Sequence, residues 1–367
     1  ICLRIVFAAL SVAGLLATQA SAQDAPPRLA ADQSMAPAEL EALVDGAVVQ
    51  AMARDRIAGV TVSVVQDGRV VLKKGYGFAD VETGRRVDPD ATLFRVGSIT
   101  KTFTWLMALN AAEQGRMSLD APINRYLPAG ARIPDQDGMR QVSLRDLMVH
   151  QPGFEERLLK DLFFRDQARL RPLDEYLAAH RPDRIWAPGE VSAYSNYGAA
   201  LAGAAVAHSG RARWEDLLEA EILRPAGMTR TTGREPYDPR ADLPAPMPAN
   251  LARDLSRNYR WTGAAFAARP YEFGGFPPAG SMSSTASDMA RYMTLLLNGG
   301  TIDGGTIYGP AAAKAILTPM VVYPGGGGAN AGFFQTPLRG GFMAYGHNGA
   351  TLDFHANMTV IPDLRLG

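Results

Sequence analysis

Cysteine is almost absent from this sequence of 367 residues, because Cys2 is the only one. A single thiol excludes an intrachain disulfide and any metal site built from several cysteines. An excess of charge is also absent, since 37 basic residues balance 37 acidic ones. Nonspecific binding to nucleic acids depends largely on neutralising phosphates, so this balance argues against a nucleic acid as a partner.

Charged residues make up only 20% of the chain, whereas hydrophobic residues make up 47%. These fractions are those of an ordinary globular protein with a large core. They exclude disorder, collagen and a coiled coil as the main organisation. The sequence has no internal repeat, and its only low-complexity tract is the glycine run at 325–328.

Long hydrophobic runs are missing except near the N-terminus. There Arg4 precedes an apolar stretch from Ile5 to Leu16, which is followed by the small residues Ala20, Ser21 and Ala22. This layout predicts a secretory signal peptide over residues 1–22, cleaved after Ala22. The alternative is a retained membrane anchor, but the apolar stretch is shorter than the roughly 20 residues that a spanning helix needs. We therefore expect an exported protein, periplasmic or secreted, without a stable membrane span in the mature chain.

Strand patterns occur near both ends of the chain, and helix patterns lie between them. Two β-branched runs, 59–65 and 70–78, flank an Asp67-Gly68 turn that is typical of an antiparallel hairpin. Further strand patterns cover 341–347 and 352–361, separated by Asn348-Gly349. Helix patterns cover 37–54, 98–112, 144–149, 173–179, 196–208, 214–223 and 286–297. Residues 234–278 show no clear periodicity and predict a long loop region beside a cleft.

These patterns together predict an α/β (α+β) fold. One antiparallel sheet would be built from both chain ends and flanked by helices, with a mostly helical subdomain inserted between them. In residue numbers, we expect a sheet domain from 23–97 and 280–367 and a helical subdomain from 98–279.

Lys101 is informative because lysine is rare here, with five lysines in 367 residues. It follows Ser98 by three residues at the predicted start of a helix, so both side chains lie on one face, one turn apart. A serine hydroxyl becomes a good nucleophile when a neighbouring base takes its proton, and a buried amine with a lowered pKa can be that base. The alternative is that Ser98 only caps the helix, as serine often does.

Two later motifs strengthen the catalytic interpretation. Tyr194 and Asn196 form the only Y-x-N in the sequence, where the tyrosine could assist proton transfer and the amide could bind a substrate carbonyl. His347 and Gly349 form an H-x-G at the end of a strand pattern. There we expect a backbone N–H to bind an acyl oxygen and His347 to donate a hydrogen bond to the substrate.

The order S-x-x-K, Y-x-N, H-x-G resembles the serine β-lactamase and penicillin-binding protein superfamily. The resemblance is to the branch with class C β-lactamases, D-alanyl-D-alanine carboxypeptidases, D-aminopeptidases and family VIII carboxylesterases. It extends over roughly residues 37 to 367 and includes further stretches: Gly75-Tyr76-Gly77-Phe78-Ala79-Asp80, Phe94-Arg95-Val96-Gly97-Ser98, Leu147-Met148-Val149-His150-Gln151-Pro152-Gly153 and Ala279-Gly280-Ser281-Met282-Ser283-Ser284.

The resemblance implies a role for each motif residue. Ser98 would be the acylated nucleophile, Lys101 the adjacent base and Tyr194 the residue that handles protons in acylation and deacylation. Asn196 would bind the substrate carbonyl. His347 and Gly349 would form the third motif, with the N–H groups of Ser98 and Ala350 as the oxyanion hole. No cofactor is implied, and the scattered histidines show no metal-ligand spacing.

The third motif departs from the K-T-G of many β-lactamases, because His347 replaces a permanently charged lysine. We therefore expect a peptidase or a general amide or ester hydrolase first, acting on a small molecule or peptide such as a peptidoglycan fragment. A true β-lactamase is the second expectation and a family VIII carboxylesterase follows closely. A noncatalytic protein that binds peptidoglycan or a partner is the rival from another class.

The two ends of the sequence predict a fragment of a longer protein. The first residue is Ile1 rather than methionine, and the sequence ends at Gly367, soon after a strand pattern. Members of the superfamily usually continue with another strand and a C-terminal helix, so we expect the sheet domain to be truncated here.

Overall fold

The computed structural model describes residues 36–156 and 161–367. The predicted signal peptide over 1–22 lies outside the described residues. Within them, no helix is both long enough and apolar enough to cross a membrane.

The described chain alternates short helices and strands. The helices are α1 Pro37–Asp55, α2 Thr100–Glu113, α3 Leu144–Met148, α4 Leu173–Ala179, α5 Asn196–Gly210, α6 Trp214–Leu218, α7 Ala249–Arg253, α8 Pro277–Gly280, α9 Ala286–Leu297 and α10 Pro310–Leu317. The strands are β1 Gly59–Gln66, β2 Arg69–Asp80, β3 Arg85–Arg86, β4 Phe94–Arg95, β5 Phe163–Phe164, β6 Asn258–Trp261, β7 Phe266–Arg269, β8 Phe273–Gly274, β9 Ser283–Ser284, β10 Thr301–Ile302, β11 Gly305–Thr306, β12 Val321–Val322, β13 Gly328–Asn330, β14 Phe333–Pro337, β15 Met343–Ala350 and β16 His355–Val360.

The two ends of the described chain form antiparallel sheets, as the sequence predicts. Strands β1 and β2 pair around a turn in which Asp67 and Gly68 both have positive φ, 51° and 73°. Strands β12 to β16 form a second sheet in sequential order. The last residues link the two, because Val65 and Gly367 exchange two backbone hydrogen bonds of 2.8 Å. The sheets from the two ends of the described chain are thus separate but joined by these backbone hydrogen bonds.

Asn348 and Gly349 lie inside β15, and the prediction that they separate two strands is wrong. They pair with Asn357 and Ala356 of β16, and the turn comes later, where the N–H of Thr351 donates to the carbonyl of Phe354. A Cβ atom on Gly349 would lie 1.9 Å from the carbonyl oxygen of Val96. The glycine is therefore required by close packing on the segment before Ser98 and not by a turn.

Residues 234–278 are more structured than their composition indicates. They contain α7, the hairpin β6–β7 and strand β8, which pairs with β5. Each of these strands has four residues or fewer, and β7 reads Phe-Ala-Ala-Arg without an alternating apolar pattern. So short a pattern gives too little periodicity to distinguish a strand from a loop.

Helix α2 lies at the centre of the core. All its residues from Thr100 to Ala111 are buried, and it packs against α5 and α8. Two of its buried threonines are hydrogen-bonded, since Thr102 donates to the carbonyl of Ile99 and Thr104 to that of Pro278, both at 2.8 Å. The start of α2, which carries Lys101 and directly follows Ser98, is therefore held in place by buried contacts. The assignment of 98–279 to a separate helical subdomain stays a prediction.

Replacing Gly332 by alanine should cost far more stability than the same change at Gly341. Both glycines have positive φ, 84° and 85°. A Cβ atom at Gly332 would lie 1.9 Å from the Trp105 ring, whereas nothing lies within 4 Å at Gly341. We expect Gly332→Ala to lower the free energy of unfolding by about 2 to 4 kcal/mol and Gly341→Ala by about 1 kcal/mol. Denaturant titration measures both, and equal losses would contradict the packing against Trp105.

Candidate active site

Ser98 lies in a single 3-10 turn, Gly97–Ile99, that leads directly into α2. Its side chain is half-buried, so the hydroxyl can be reached from outside. The preceding Gly97 has a φ of 52°, and a Cβ atom there would lie 2.6 Å from the backbone nitrogen of Ala350. Glycine at this position lets β15 approach the backbone beside Ser98.

Lys101 is fully buried, and its amine contacts three oxygen atoms. Its Nζ lies 3.0 Å from Ser98 Oγ, 2.6 Å from Asn196 Oδ1 and 2.6 Å from the carbonyl oxygen of Ala279. Amide and carbonyl oxygens can only accept, whereas a hydroxyl can also donate. An ammonium would donate to all three oxygens, whereas a neutral amine would donate its two N–H bonds to Asn196 and Ala279 and accept from the Ser98 hydroxyl with its lone pair.

The burial of Lys101 favours the neutral amine. Desolvation lowers the pKa of Lys101 from 10.5 to about 7, and the opposing attraction of Glu156 is the smaller effect. A buried ammonium without a close carboxylate is costly, so the proton leaves more easily than in water. Near neutral pH a substantial fraction of Lys101 can accept the Ser98 proton.

Glu156 fixes the orientation of Asn196, and sequence reasoning missed this residue. Its carboxylate accepts from the backbone N–H of Asn196 at 3.0 Å and from Nδ2 at 2.8 Å. Because the NH₂ group faces Glu156, the oxygen of the amide must face Lys101. Burial raises the pKa of Glu156, and the Asn196 bonds partly offset this. No spacing pattern marks Glu156, since the loop of residues 151–156 and α5 meet only in the folded chain.

Tyr194 is the third side chain that lies next to Ser98, beside Lys101. Its hydroxyl lies close enough to Ser98 for that side chain to lower the pKa of Tyr194 slightly, and its ring centroid lies 4.9 Å from Lys101 Nζ. The side chain as a whole is 36% exposed, but the hydroxyl lies among buried groups and its desolvation raises the pKa of Tyr194 well above 10. The phenol thus keeps its proton at neutral pH and can donate it to a neighbouring oxygen or nitrogen.

His150 supports the loop that carries Tyr194. Its Nδ1 accepts from the N–H of Ser195 at 3.1 Å, and its ring lies 4.3 Å from the Tyr194 ring. Burial lowers the pKa of His150 well below 6.5, with a further contribution from Lys101. His150 is therefore neutral and orients Tyr194 through backbone and ring contacts.

His347 lies near the same group of rings, with its centroid 6.1 Å from Tyr194 and 5.2 Å from Phe334. Its Nδ1 faces the carbonyl of Asn348 at 2.5 Å, and a carbonyl only accepts, so Nδ1 carries the proton. Burial lowers the pKa of His347 to about 4. The remaining nitrogen, Nε2, is then an acceptor in this arrangement, and the role of His347 toward the substrate stays a prediction.

The backbone around Gly349 and Ala350 packs directly on the nucleophile. A Cβ atom on Gly349 would lie 3.1 Å from the backbone nitrogen of Ser98, and the Ala350 nitrogen is close to Gly97. Two backbone nitrogens, those of Ser98 and Ala350, are thus brought to the same side of the site. Their assignment as an oxyanion hole stays a proposal, as do the roles of the side chains.

Within residues 36–156 and 161–367, no group of three or more His, Cys, Asp or Glu side chains is arranged to hold a metal ion. The chemistry available at this site rests on the Ser98 hydroxyl, the Lys101 amine and the Tyr194 phenol, which lie close together. This is the arrangement for nucleophilic attack with a nearby base and acid.

Comparison with known proteins identifies the family, because the family model named Beta-lactamase matches residues 44–367. The chain belongs to the β-lactamase family of serine hydrolases. Among solved structures, the octameric penicillin-binding protein homologue from Pyrococcus abyssi has a TM-score of 0.74 at 22% identity, covering 90% of this chain and 72% of its own. A class C β-lactamase has a TM-score of 0.72 at 22% identity, covering 91% and 90%. These similarities establish the fold.

The matches to curated relatives cover a smaller share of the relatives' own length. Putative beta-lactamase-like 1 from Homo sapiens is 27% identical over 88% of this chain and 63% of its own length. D-alanyl-D-alanine-carboxypeptidase/endopeptidase AmpH from Escherichia coli is 30% identical over 49% of this chain and 45% of its own. Esterase EstB from Burkholderia gladioli is 29% identical over 70% of each. The chain thus spans about half to two thirds of the length of the curated relatives it matches.

Replacing Lys101 by methionine should flatten the pH dependence of stability above neutral pH. The folded-state pKa of Lys101 is about 7, against an ordinary value of 10.5. Between pH 7 and pH 10.5, Lys101 is protonated in the unfolded chain but mostly neutral in the folded protein, so the free energy of unfolding rises with pH. The stabilisation is fully present above pH 10.5 and is lost as the pH falls to about 7. Within this window the free energy of unfolding changes by up to about 1.4 kcal/mol per pH unit.

Denaturant titrations of wild type and Lys101→Met at several pH values measure this contribution as the difference between the two curves. The difference should grow with pH across the window. Parallel curves would mean that Lys101 keeps its charge in the folded protein.

Proposed function

We propose that this chain hydrolyses ester or amide bonds through an acyl-enzyme on Ser98. The observation that carries the proposal is the contact of the buried Lys101 amine with Ser98 Oγ at 3.0 Å. When the amine is neutral and donates its two N–H bonds to Asn196 and Ala279, its lone pair is left for the serine hydroxyl. A serine in this contact has a base for its proton before any substrate arrives.

Acylation would begin when Ser98 Oγ attacks the substrate carbonyl carbon and its proton moves to Lys101 Nζ. The carbonyl oxygen becomes an oxyanion, which the N–H groups of Ser98 and Ala350 would stabilise. When the tetrahedral intermediate collapses, the bond to the leaving alcohol or amine breaks. Tyr194, a phenol that keeps its proton at neutral pH, would deliver a proton to that leaving group and recover one from Lys101.

Deacylation would reverse these roles with water. Tyr194 and Lys101 would take one proton from the water as its oxygen attacks the Ser98 ester. The second tetrahedral intermediate then expels Ser98 Oγ, which regains its proton, and the carboxylic acid leaves. No cofactor enters this sequence.

The third motif favours an uncharged acyl group as substrate. A neutral His347 with an acceptor at Nε2 does not supply the positive charge that a substrate carboxylate would require. It suits a substrate that presents an N–H or O–H donor, such as a peptide amide or an ester with a free hydroxyl. The similar proteins include both a D-alanyl-D-alanine-carboxypeptidase/endopeptidase and an esterase, which supports an amide or an ester as the bond that is cleaved.

Hydrolysis of β-lactams is the second candidate. The Ser98, Lys101 and Tyr194 arrangement is chemically suited to opening a strained amide, and the family match supports it. It ranks below esters and peptides because most β-lactams carry a carboxylate. A noncatalytic binding protein would have no use for the lone pair directed at Ser98.

An acyl adduct should form on wild type and be absent from Ser98→Ala. We would record intact masses and product release with p-nitrophenyl butyrate, D-alanyl amides and benzylpenicillin, using Ser98→Ala and Lys101→Met in parallel. Ester or amide turnover should fall by about a thousandfold or more in both variants. Turnover that survives in Ser98→Ala would refute the nucleophile, and survival in Lys101→Met would refute the base. A penicilloyl adduct on wild type alone would move the substrate assignment to β-lactams.

We also propose that the protein is exported. The support is the predicted signal peptide over 1–22 and the suitability of an extracytoplasmic compartment for a peptide of the cell wall.

Residues 1–30 fused to an alkaline phosphatase lacking its own signal should therefore give active enzyme in the periplasm and a cut after Ala22. Leu15→Arg, which interrupts the apolar stretch, is the matched control and should abolish activity. A reporter that stays inactive with the unaltered segment would contradict export by this route.

A further inference from the structure

A second cavity lies apart from the Ser98 site, within the part of the chain that the structure describes. Its volume is about 730 Å³, and α5, α6, α4 and the loop of residues 233–244 surround it. This size accommodates a small organic molecule. Its apolar lining includes Leu170, Leu173, Tyr176, Ala207, Trp214 and Leu243.

Among residues 36–156 and 161–367, no cation bonds to one of the carboxylates in the lining of this cavity. Glu215, in the first turn of α6, is only 7% exposed. Among the described residues, no side chain donates a hydrogen bond to its carboxylate, and only its own backbone N–H lies close enough to lower its pKa by this type of contact. A buried carboxylate left in this way is destabilising unless a cation or further donors reach it.

The neighbouring arginine is already engaged elsewhere. Arg234 donates to Asp216 and Glu219, both at 2.6 Å, and to the carbonyl of Ala245 at 3.0 Å. Its guanidinium therefore has little capacity left for Glu215. Arg213 attracts Glu215 only through space and is exposed.

The second buried carboxylate in the lining is satisfied. Glu235 pairs with Arg95 at 3.1 Å and accepts from the N–H of Gly274 at 3.0 Å. Burial raises the pKa of Glu215 and of Glu235 to about 7. Glu215 is thus the acidic group that remains available inside the cavity.

We propose that this cavity binds a small molecule with an apolar body and one ammonium group, which pairs with Glu215. The apolar walls would bury the body of the ligand, and the ammonium would be the cationic partner that Glu215 lacks. Exposed arginines at the rim, Arg171, Arg211 and Arg213, disfavour a second positive charge on the ligand. The site is independent of the hydrolase proposal, because none of the residues assigned to catalysis lines it.

The test compares 4-phenylbutylamine with 4-phenylbutanol, which share an apolar body and differ in charge. Titration calorimetry at about pH 8, where Glu215 is mostly ionised, measures both dissociation constants. On wild type the amine should bind at least about tenfold more tightly than the alcohol. Glu215→Gln should reduce this preference to less than about threefold. Asp174→Asn, which removes an exposed carboxylate at the rim, should leave it unchanged.

Two further variants separate the possible causes of failure. Ala207→Trp should fill the cavity and abolish binding of both compounds without touching Glu215, so it keeps the test decisive if Glu215→Gln does not fold. Ser98→Ala should bind the amine like wild type, whether or not Ser98 is a nucleophile. The proposal would be overturned if wild type bound neither compound or bound both equally. It would also be overturned if the amine still bound to Ala207→Trp, or if Glu215→Gln kept the preference for the amine.

Discussion

The burial of the Lys101 amine beside Ser98 is the constraint on which the rest of this structure depends. An amine at the centre of a core is tolerated only when it can lose its charge or be fully hydrogen-bonded. Here three separate parts of the chain supply the partners: the turn before α2, the start of α5 and the short helix α8. The fold must therefore hold these three segments within hydrogen-bond distance of one amine.

A buried ionic network provides much of this register. Arg95, which is fully buried, donates to the carbonyls of Glu272 and Gly280 and pairs with Glu235. The Glu272 carboxylate in turn accepts from the N–H groups of Leu352 and Asp353. The segment that presents the Ala279 carbonyl to Lys101 is thus tied both to the strand before Ser98 and to the turn after β15. Loss of one member of such a network leaves an uncompensated buried charge, which makes the arrangement intolerant of change.

The local patterns of the sequence predict the elements that carry the site. The Asp67-Gly68 turn, the helix after Ser98 and the helix that begins at Asn196 follow from turn chemistry and periodicity over short distances. Asn348-Gly349 misled the same reasoning, because the pair is typical of a turn but the glycine serves a close approach to Val96. The hairpin β6–β7 was missed since its strands are too short to show a period.

The sequence by itself determined which chemistry is available, through Ser98, Lys101, Tyr194 and Asn196 in a recognisable order and spacing. Only the tertiary structure decided the protonation and direction of that chemistry. Burial sets the pKa of Lys101, Glu156 turns the oxygen of Asn196 toward the amine, and the carbonyl of Asn348 makes His347 an acceptor. Residues can be identified from their order along the chain, but desolvation and hydrogen-bond partners arise from segments that meet in space, as Glu156 and Asn196 do across 40 positions.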